Sequence, residues 1–107
     1  MKGFGGGGLQ QLMKQANQMQ NKMKKVQEEL AQRTFEGTAG GGVVTVQVTG
    51  DNKVSSITIK PDVMSSGDVE MLQDLIVAAT NEALKSAKTT SDQEMQKITG
   101  GMLPGMF

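Results

Sequence analysis

Basic side chains are concentrated in the first third of this 107-residue chain. Residues 1–33 hold six Lys or Arg and two Glu, although the whole chain has no net charge. Ammonium and guanidinium groups bind phosphates, and a surface rich in them on one side is typical of contact with a polyanion. The candidate contacts are Lys14, Lys22, Lys24, Lys25 and Arg33.

Side chains for other chemistry are scarce. The chain has no Cys and no His, which excludes disulfides and thiolate metal sites and removes the usual general base. The remaining Asp, Glu, Lys and Ser form no nucleophile–base set and no metal-ligand spacing. The glycines before Leu9 lack the Lys-Ser/Thr pair of a phosphate-binding loop. The sequence therefore predicts no enzyme, no cofactor and no small-molecule substrate.

The basic residues lie on a predicted helix from Leu9 to about Arg33. Its apolar residues recur in steps of three and four, the a/d pattern of a helix that packs on another helix. The seam consists of Leu9, Leu12, Ala16, Met19, Met23, Val26 and Leu30. So narrow a stripe needs a partner helix, from this chain or from a second copy. The lysines fall outside the seam and are free to face a ligand.

After Arg33 the apolar residues recur at every second position, the spacing typical of β-strands. Residues 34–39, 43–49 and 54–60 predict a three-stranded antiparallel meander, with Val44, Val46 and Val48 on one face and Ile57 and Ile59 also sharing one face. A Gly-rich turn and the Gly50–Lys53 turn join the strands, and Pro61 ends the last one. A sheet that is apolar on one side requires a helix to cover it, and its open edges can pair with a second copy.

A second helix is predicted from Val69 to Lys88, with Ser65 or Asp68 as its cap. Its apolar face is broad enough to cover the sheet, and its alanines permit close approach of another element. Thr89-Thr90 predicts a break, and Ser91–Glu94 reads as the capping box of a short last helix that ends near Thr99. The fold class is α+β in one domain, residues 1–107, with flexible tails at residues 1–8 and 100–107.

The second half of the chain is acidic, with three Lys against six Asp or Glu in residues 68–107. The basic helix therefore has an alternative role, which is to pair with this acidic helix. Each lysine taken singly is also explained by solvation of an exposed face, and Lys25 and Glu29 have the spacing of an ion pair within the helix. No run of about 20 apolar residues is present, so we expect a cytoplasmic protein that does not enter a membrane.

Several segments resemble the YbaB/EbfC family of bacterial nucleoid-associated proteins, and the similarity extends over essentially the whole chain. The segments are Leu9–Leu30 with Leu-Met-Lys-Gln-Ala at Leu12–Ala16, Gly42-Val43-Val44 with Val46 and Val48, Ile57–Pro61 leading into Asp62, Glu70–Ile76, Asn81–Ala83, and the Gly/Met/Pro/Phe-rich end from Gly100. The resemblance implies a tweezer-like homodimer whose helices project from a sheet-containing body. It also implies binding of duplex DNA, with low or modest sequence preference, at the nucleoid.

On this interpretation the five basic residues are the DNA contacts, and the seam residues pack helices or subunits together. The acidic last helices offer less to phosphate than the first helix does. No motif for base readout and no exposed aromatic for stacking on single strands accompanies the lysines. The alternative is a dimeric coiled-coil module that binds a protein partner of DNA replication or recombination. The heptads alone do not separate these two functions.

Overall fold

The computed structural model describes residues 8–99, an α+β arrangement that extends over 77 × 25 × 16 Å. The elements are α1 (Leu9–Gln32), β1 (Thr34–Ala39), β2 (Val44–Thr49), β3 (Val54–Ile59), α2 (Pro61–Ser65) and α3 (Val69–Thr99). The expected tails lie outside the described residues except for Gly8, whose backbone is already helical. The long first helix, the meander and the long later helix are confirmed.

The three strands form an antiparallel sheet in the order β1-β2-β3. The register places Val46 opposite Ile57 and Val44 opposite Ile59. Since directly opposed residues share a face, the isoleucines lie on the same side as the β2 valines. Val44, Val46 and Val48 are fully buried, as the alternation predicted, and Gln47 and its neighbours on the other face are half-exposed.

Helix α3 lies across β1 and β2 on this apolar face. Its contact surface is a stripe of small residues, Ala79, Ala83 and Ala87, all buried. Gly37 of β1 completes the close approach, because a Cβ at that position would clash with the backbone of Ala79 and Ala83. The helix does not reach β3, where Ile57 remains 47% exposed. The expectation that this helix would cover the whole sheet is therefore wrong for its third strand.

Helix α1 runs antiparallel to the C-terminal part of α3. Met19 and Lys22 lie beside Ile98, whereas Val26 and Leu30 lie beside Glu94, nearer the sheet. Ser91 and Asp92 flank the β2–β3 turn, so residues 93–99 of α3 extend beyond that end of the sheet. We call α1 together with residues 93–99 the arm. At about 1.5 Å per residue, α1 alone is about 36 Å long.

The β2–β3 turn anchors the base of the arm. The Gly50 N–H donates to the Arg33 carbonyl at 3.0 Å, and a Cβ on Gly50 would clash with the Leu30 carbonyl. In the same turn the Thr49 hydroxyl donates to the Asp51 carboxylate, and Lys53 pairs with Asp51 at 3.5 Å. The hydrogen bond and then the ammonium hold the pKa of Asp51 below its ordinary value.

Two predicted helix boundaries are wrong. α3 is one helix from Val69 to Thr99, without the break at Thr89-Thr90 and without a separate short C-terminal helix. Thr90 is half-buried and Met95 packs against the core, so tertiary contacts outweigh the low helix propensity of the threonines. The sequence interpretation also missed α2, which begins at Pro61 and buries Val63. Asp68 is the cap of α3, because its carboxylate accepts the Met71 N–H at 3.0 Å.

Gly37→Ala tests the close contact between α3 and β1. Gly37 does not have a positive φ. Alanine at such a position ordinarily stabilises the folded protein by about 0.4–1 kcal/mol, because it lowers the conformational entropy of the unfolded chain. We expect a loss of about 1–3 kcal/mol instead, because the methyl group overpacks the α3 backbone. Denaturant unfolding measures the difference, with Thr38→Ala on the exposed side of the same strand as control. A more stable Gly37→Ala variant would contradict this packing.

Candidate nucleic-acid interface

The four lysines of α1 lie on the side of the helix opposite its apolar seam. Helical rotation of about 100° per residue places Lys14, Lys22, Lys24 and Lys25 within an arc of about 160°. All four side chains are exposed. The seam points towards α3, so Lys14, Lys24 and Lys25 lie on the side of α1 away from α3, whereas Lys22 lies at the edge of the contact, near Ile98.

None of these lysines is held in an ion pair within residues 8–99. The ion pairs formed there are Lys53–Asp51 and Lys97–Glu94, each at 3.5 Å. The predicted alternative of a Lys25–Glu29 pair therefore does not form. Glu28 and Glu29 fall within the same arc of the helix, but neither pairs with a lysine, so this face keeps a net positive charge.

Arg33 lies apart from the lysines, at the base of the arm. Its guanidinium carbon is 5.3 Å from the centroid of the Phe35 ring, a cation–π distance. Glu29 and Glu94 border the same shallow depression. Arg33 thus combines a structural contact with its predicted role in binding, whereas the lysines make no contact of this kind.

The seam is divided between a packed half and an exposed half. Leu30 is 6% exposed, and Val26, Met23 and Met19 are half-buried, so this half finds its partner helix within the chain. Leu9, Leu12 and Ala16 are exposed, with Leu12 at 65%. Within residues 8–99 no ion pair joins α1 and α3, although Glu29, Arg33 and Glu94 border their contact. The predicted pairing of α1 with the acidic helix therefore occurs through packing and not through ion pairs.

Apolar side chains of β3 and of one flank of α3 border the part of the sheet that α3 leaves uncovered. Leu84 borders the β2–β3 turn, and Val77 lies on the same flank two turns nearer the start of α3. Two helical turns and three strand residues both span about 10 Å, which places Val77 level with Ile57. The β3 groove is the surface formed by Val54, Ile57, Val77 and Leu84. Ile57 and Val77 are 47% and 58% exposed.

The β3 groove was not predicted from the sequence. The apolar alternation of all three strands was visible, but the broad apolar face of the second helix was taken as wide enough to cover the whole sheet. Neighbouring strands are about 4.8 Å apart, so one helix covers only about two of them. Comparing the width of one helix with the width of three strands could have predicted the uncovered edge.

Residues 8–99 offer no metal site and no membrane span. No group of three or more Asp or Glu side chains in this part of the chain is placed to hold a metal ion. Neither of its long helices is apolar enough over its length to cross a membrane.

Comparison with known proteins gives matches over nearly the whole chain. The model of the YbaB/EbfC DNA-binding family matches residues 5–102. A nucleoid-associated protein of Clostridium novyi is 54% identical over 107 residues, covering 98% of this chain and 94% of the relative. One from Acetivibrio thermocellus is similar at the same identity and coverage. One from Chloroflexus aurantiacus is 54% identical over 97 residues, 91% of this chain and 96% of the relative.

The crystal structure of an uncharacterized protein from Helicobacter pylori has the same fold, with a TM-score of 0.71 and 20% sequence identity. The match covers 85% of this chain and 96% of that chain.

Replacing one leucine in each half of the α1 seam by alanine tests whether one half is packed and the other exposed. We expect Leu30→Ala to lower the free energy of unfolding by about 2–5 kcal/mol, because it opens a cavity at the base of the arm. Leu12→Ala removes an exposed side chain of the same size and should change stability by less than about 0.5 kcal/mol. Denaturant unfolding of both variants measures the contrast. Equal losses would show that the exposed half of the seam is packed after all.

Proposed function

The chain belongs to the YbaB/EbfC DNA-binding family, and we propose that it binds duplex DNA, with low or modest sequence preference, through the lysine face of α1. The observation that carries this proposal is the face itself, four exposed lysines opposite the packed seam and outside any ion pair of the described residues. Arg33 at the base of the arm is a fifth, secondary contact.

The lysines extend over a length of α1 that meets many phosphates. Lys14 and Lys25 are eleven residues apart, about 17 Å along the helix, and duplex DNA carries about ten phosphates over that length of its axis. Each ammonium that meets a phosphate releases condensed counterions, so the affinity depends steeply on salt. Flexible lysines read charge rather than base edges, which accounts for weak sequence preference.

A second copy of the chain completes this interface. We propose a homodimer in which the β3 groove of one protomer covers that of its partner. Exposed apolar residues of both a helix and an edge strand support this, because such a surface is stabilised by burial and the strand has unpaired backbone groups. Twofold symmetry would give two projecting arms and twice the number of lysines, each arm following its own stretch of backbone.

The proposed location is the nucleoid, by analogy with the relatives, which are named nucleoid-associated proteins. We propose no catalytic step and no cofactor, since the family is described by DNA binding alone.

Replacing Lys22, Lys24 and Lys25 together by alanine tests the lysine face. We expect weaker binding by a similar factor on two duplexes of unrelated sequence. We also expect a shallower plot of log affinity against log salt, with a slope smaller by about 0.9 for each phosphate that is no longer neutralised. Fluorescence anisotropy over a salt series measures both quantities.

The matched control replaces Lys53, Lys60 and Lys85 by alanine, which removes the same charge from other elements. This control should retain most of the affinity and nearly the full salt slope. Equal weakening in the two variants would mean that net charge, and not the α1 face, determines binding. Unchanged binding in the α1 variant would exclude these three lysines as contacts.

Ile57→Asp tests the dimer through the β3 groove. A buried, unpaired carboxylate is costly, so we expect this variant to sediment as a folded monomer at concentrations where the wild type is a dimer. Thr58→Asp places the same charge on the opposite, open face of β3 and should remain dimeric. A dimeric Ile57→Asp variant, or a monomeric wild type, would contradict the proposed interface.

A further inference from the structure

A second apolar groove lies on the opposite flank of α3. Its floor is Met71, Leu75 and Ala78, with Leu75 half-buried and the other two exposed. Leu75 and Leu84 are nine residues apart, about 180° around the helix, so this groove faces away from the β3 groove. Its rim carries three carboxylates, and we call it the acidic groove. The rim residues are Asp68, Glu70 and Asp74.

The free end of α1 has the complementary character. Leu9, Leu12 and Met13 are all more than half exposed, and Ala16 is exposed beside them. These four residues, the α1 tip, fall within an arc of about 100°, a single apolar face. Lys14 lies about 160° from Leu12, so the tip can be covered while Lys14 remains in solvent.

The chain around the α1 tip and the chain around the acidic groove carry opposite charges. Residues 9–27 contain four Lys and no Asp or Glu, whereas residues 61–84 contain five Asp or Glu and no Lys or Arg. Within residues 8–99 neither segment takes part in an ion pair. Opposite potentials of this kind steer association and disfavour contact between two like ends.

The two segments do not meet within one chain. α1 lies along the C-terminal part of α3, with Met19 beside Ile98 and Leu30 beside Glu94, and the tip points away from the sheet. The acidic groove is at the N-terminal part of α3, where Leu75 borders the β1–β2 turn at Gly40. The described residues extend over 77 Å along their longest axis, which separates the tip from the groove.

We propose that the α1 tip of one molecule docks in the acidic groove of another copy. Apolar side chains of the tip cover Met71, Leu75 and Ala78, and the carboxylate rim attracts the basic α1 at long range without contacting its outward lysines. Tip and groove are different surfaces, so the contact is heterologous and propagates into an open chain of molecules. The outward lysines remain available, so a chain assembled in this way presents successive basic arms to one DNA molecule.

Sedimentation velocity of the full chain without DNA tests this contact independently of DNA binding. We expect species larger than a dimer at about 0.01 M salt that dissociate at about 1 M, where the Debye length falls from about 30 Å to about 3 Å. Glu70→Lys with Asp74→Lys should weaken this association by about tenfold or more, because both rim charges then repel the arm. Glu28→Lys with Glu29→Lys makes the same charge change on α1 and should not weaken it.

Mixing two defective variants gives the decisive result. Leu12→Gln with Met13→Gln removes the tip and keeps the groove, whereas the Glu70→Lys, Asp74→Lys variant keeps the tip. Resting on the proposed dimer, neither alone should form species larger than a dimer, but an equimolar mixture should, because each dimer of the first variant has two grooves that accept the tips of the second. A wild type that never exceeds a dimer, or a tip variant that still forms larger species, would overturn the proposal. So would a mixture that forms nothing larger than a dimer, or a Glu28→Lys, Glu29→Lys control that weakens association as much as the Glu70→Lys, Asp74→Lys variant.

Discussion

The close contact of α3 with β1 and β2 determines the shape of the molecule. Alanines at 79, 83 and 87 meet the sheet where Gly37 leaves room for a helix backbone. This fixes the direction of α3 along the strands, so its last turns extend past the β2–β3 turn. There they give the seam of α1 something to pack against. The contact of Gly50 with the Leu30 carbonyl fixes the other end of this arrangement.

Packing along one side of α1 is what leaves its lysines on the opposite, exposed side. The buried half of the seam orients the whole helix, and the lysines follow because they occupy the remaining positions of the same heptads. A zero net charge is compatible with such a surface, since the acids are concentrated in the second half of the chain. Over a Debye length of about 8 Å, an approaching polyanion senses the local charge of the arm, where four α1 lysines and Lys97 outnumber Glu28, Glu29 and Glu94, and not the acids of the rest of the chain.

The local patterns of the sequence predicted most of the fold. The three strands, their buried valines and the long first helix follow from period and turn chemistry, which are properties of neighbouring residues, and Asp68 is one of the two predicted caps. The break at Thr89-Thr90 was wrong because residues 90–98 pack against the core and α1, and a local propensity of tenths of a kcal/mol does not outweigh this packing. α2 was missed although Pro61, at its first position, is a known helix-start signal.

The site was harder to predict because it depends on which surfaces remain uncovered. The heptads showed that α1 needs a partner but not that α3 serves only its Met19–Leu30 half. The alternation in β3 showed an apolar face, but not that α3 is too narrow to reach Ile57. The lysines could be predicted as exposed residues outside the seam, and the fold adds that no carboxylate of residues 8–99 pairs with them.

The central claim is that the outward face of α1 meets the DNA backbone. Amide and lysine side-chain NMR shifts of the labelled protein, titrated with a short duplex at two salt concentrations, test it most directly. The account predicts salt-sensitive shifts centred on Lys14, Lys22, Lys24 and Lys25, with little change at the sheet face around Gln47. Shifts concentrated on the sheet or at the acidic start of α3, with the α1 lysines unchanged, would contradict it.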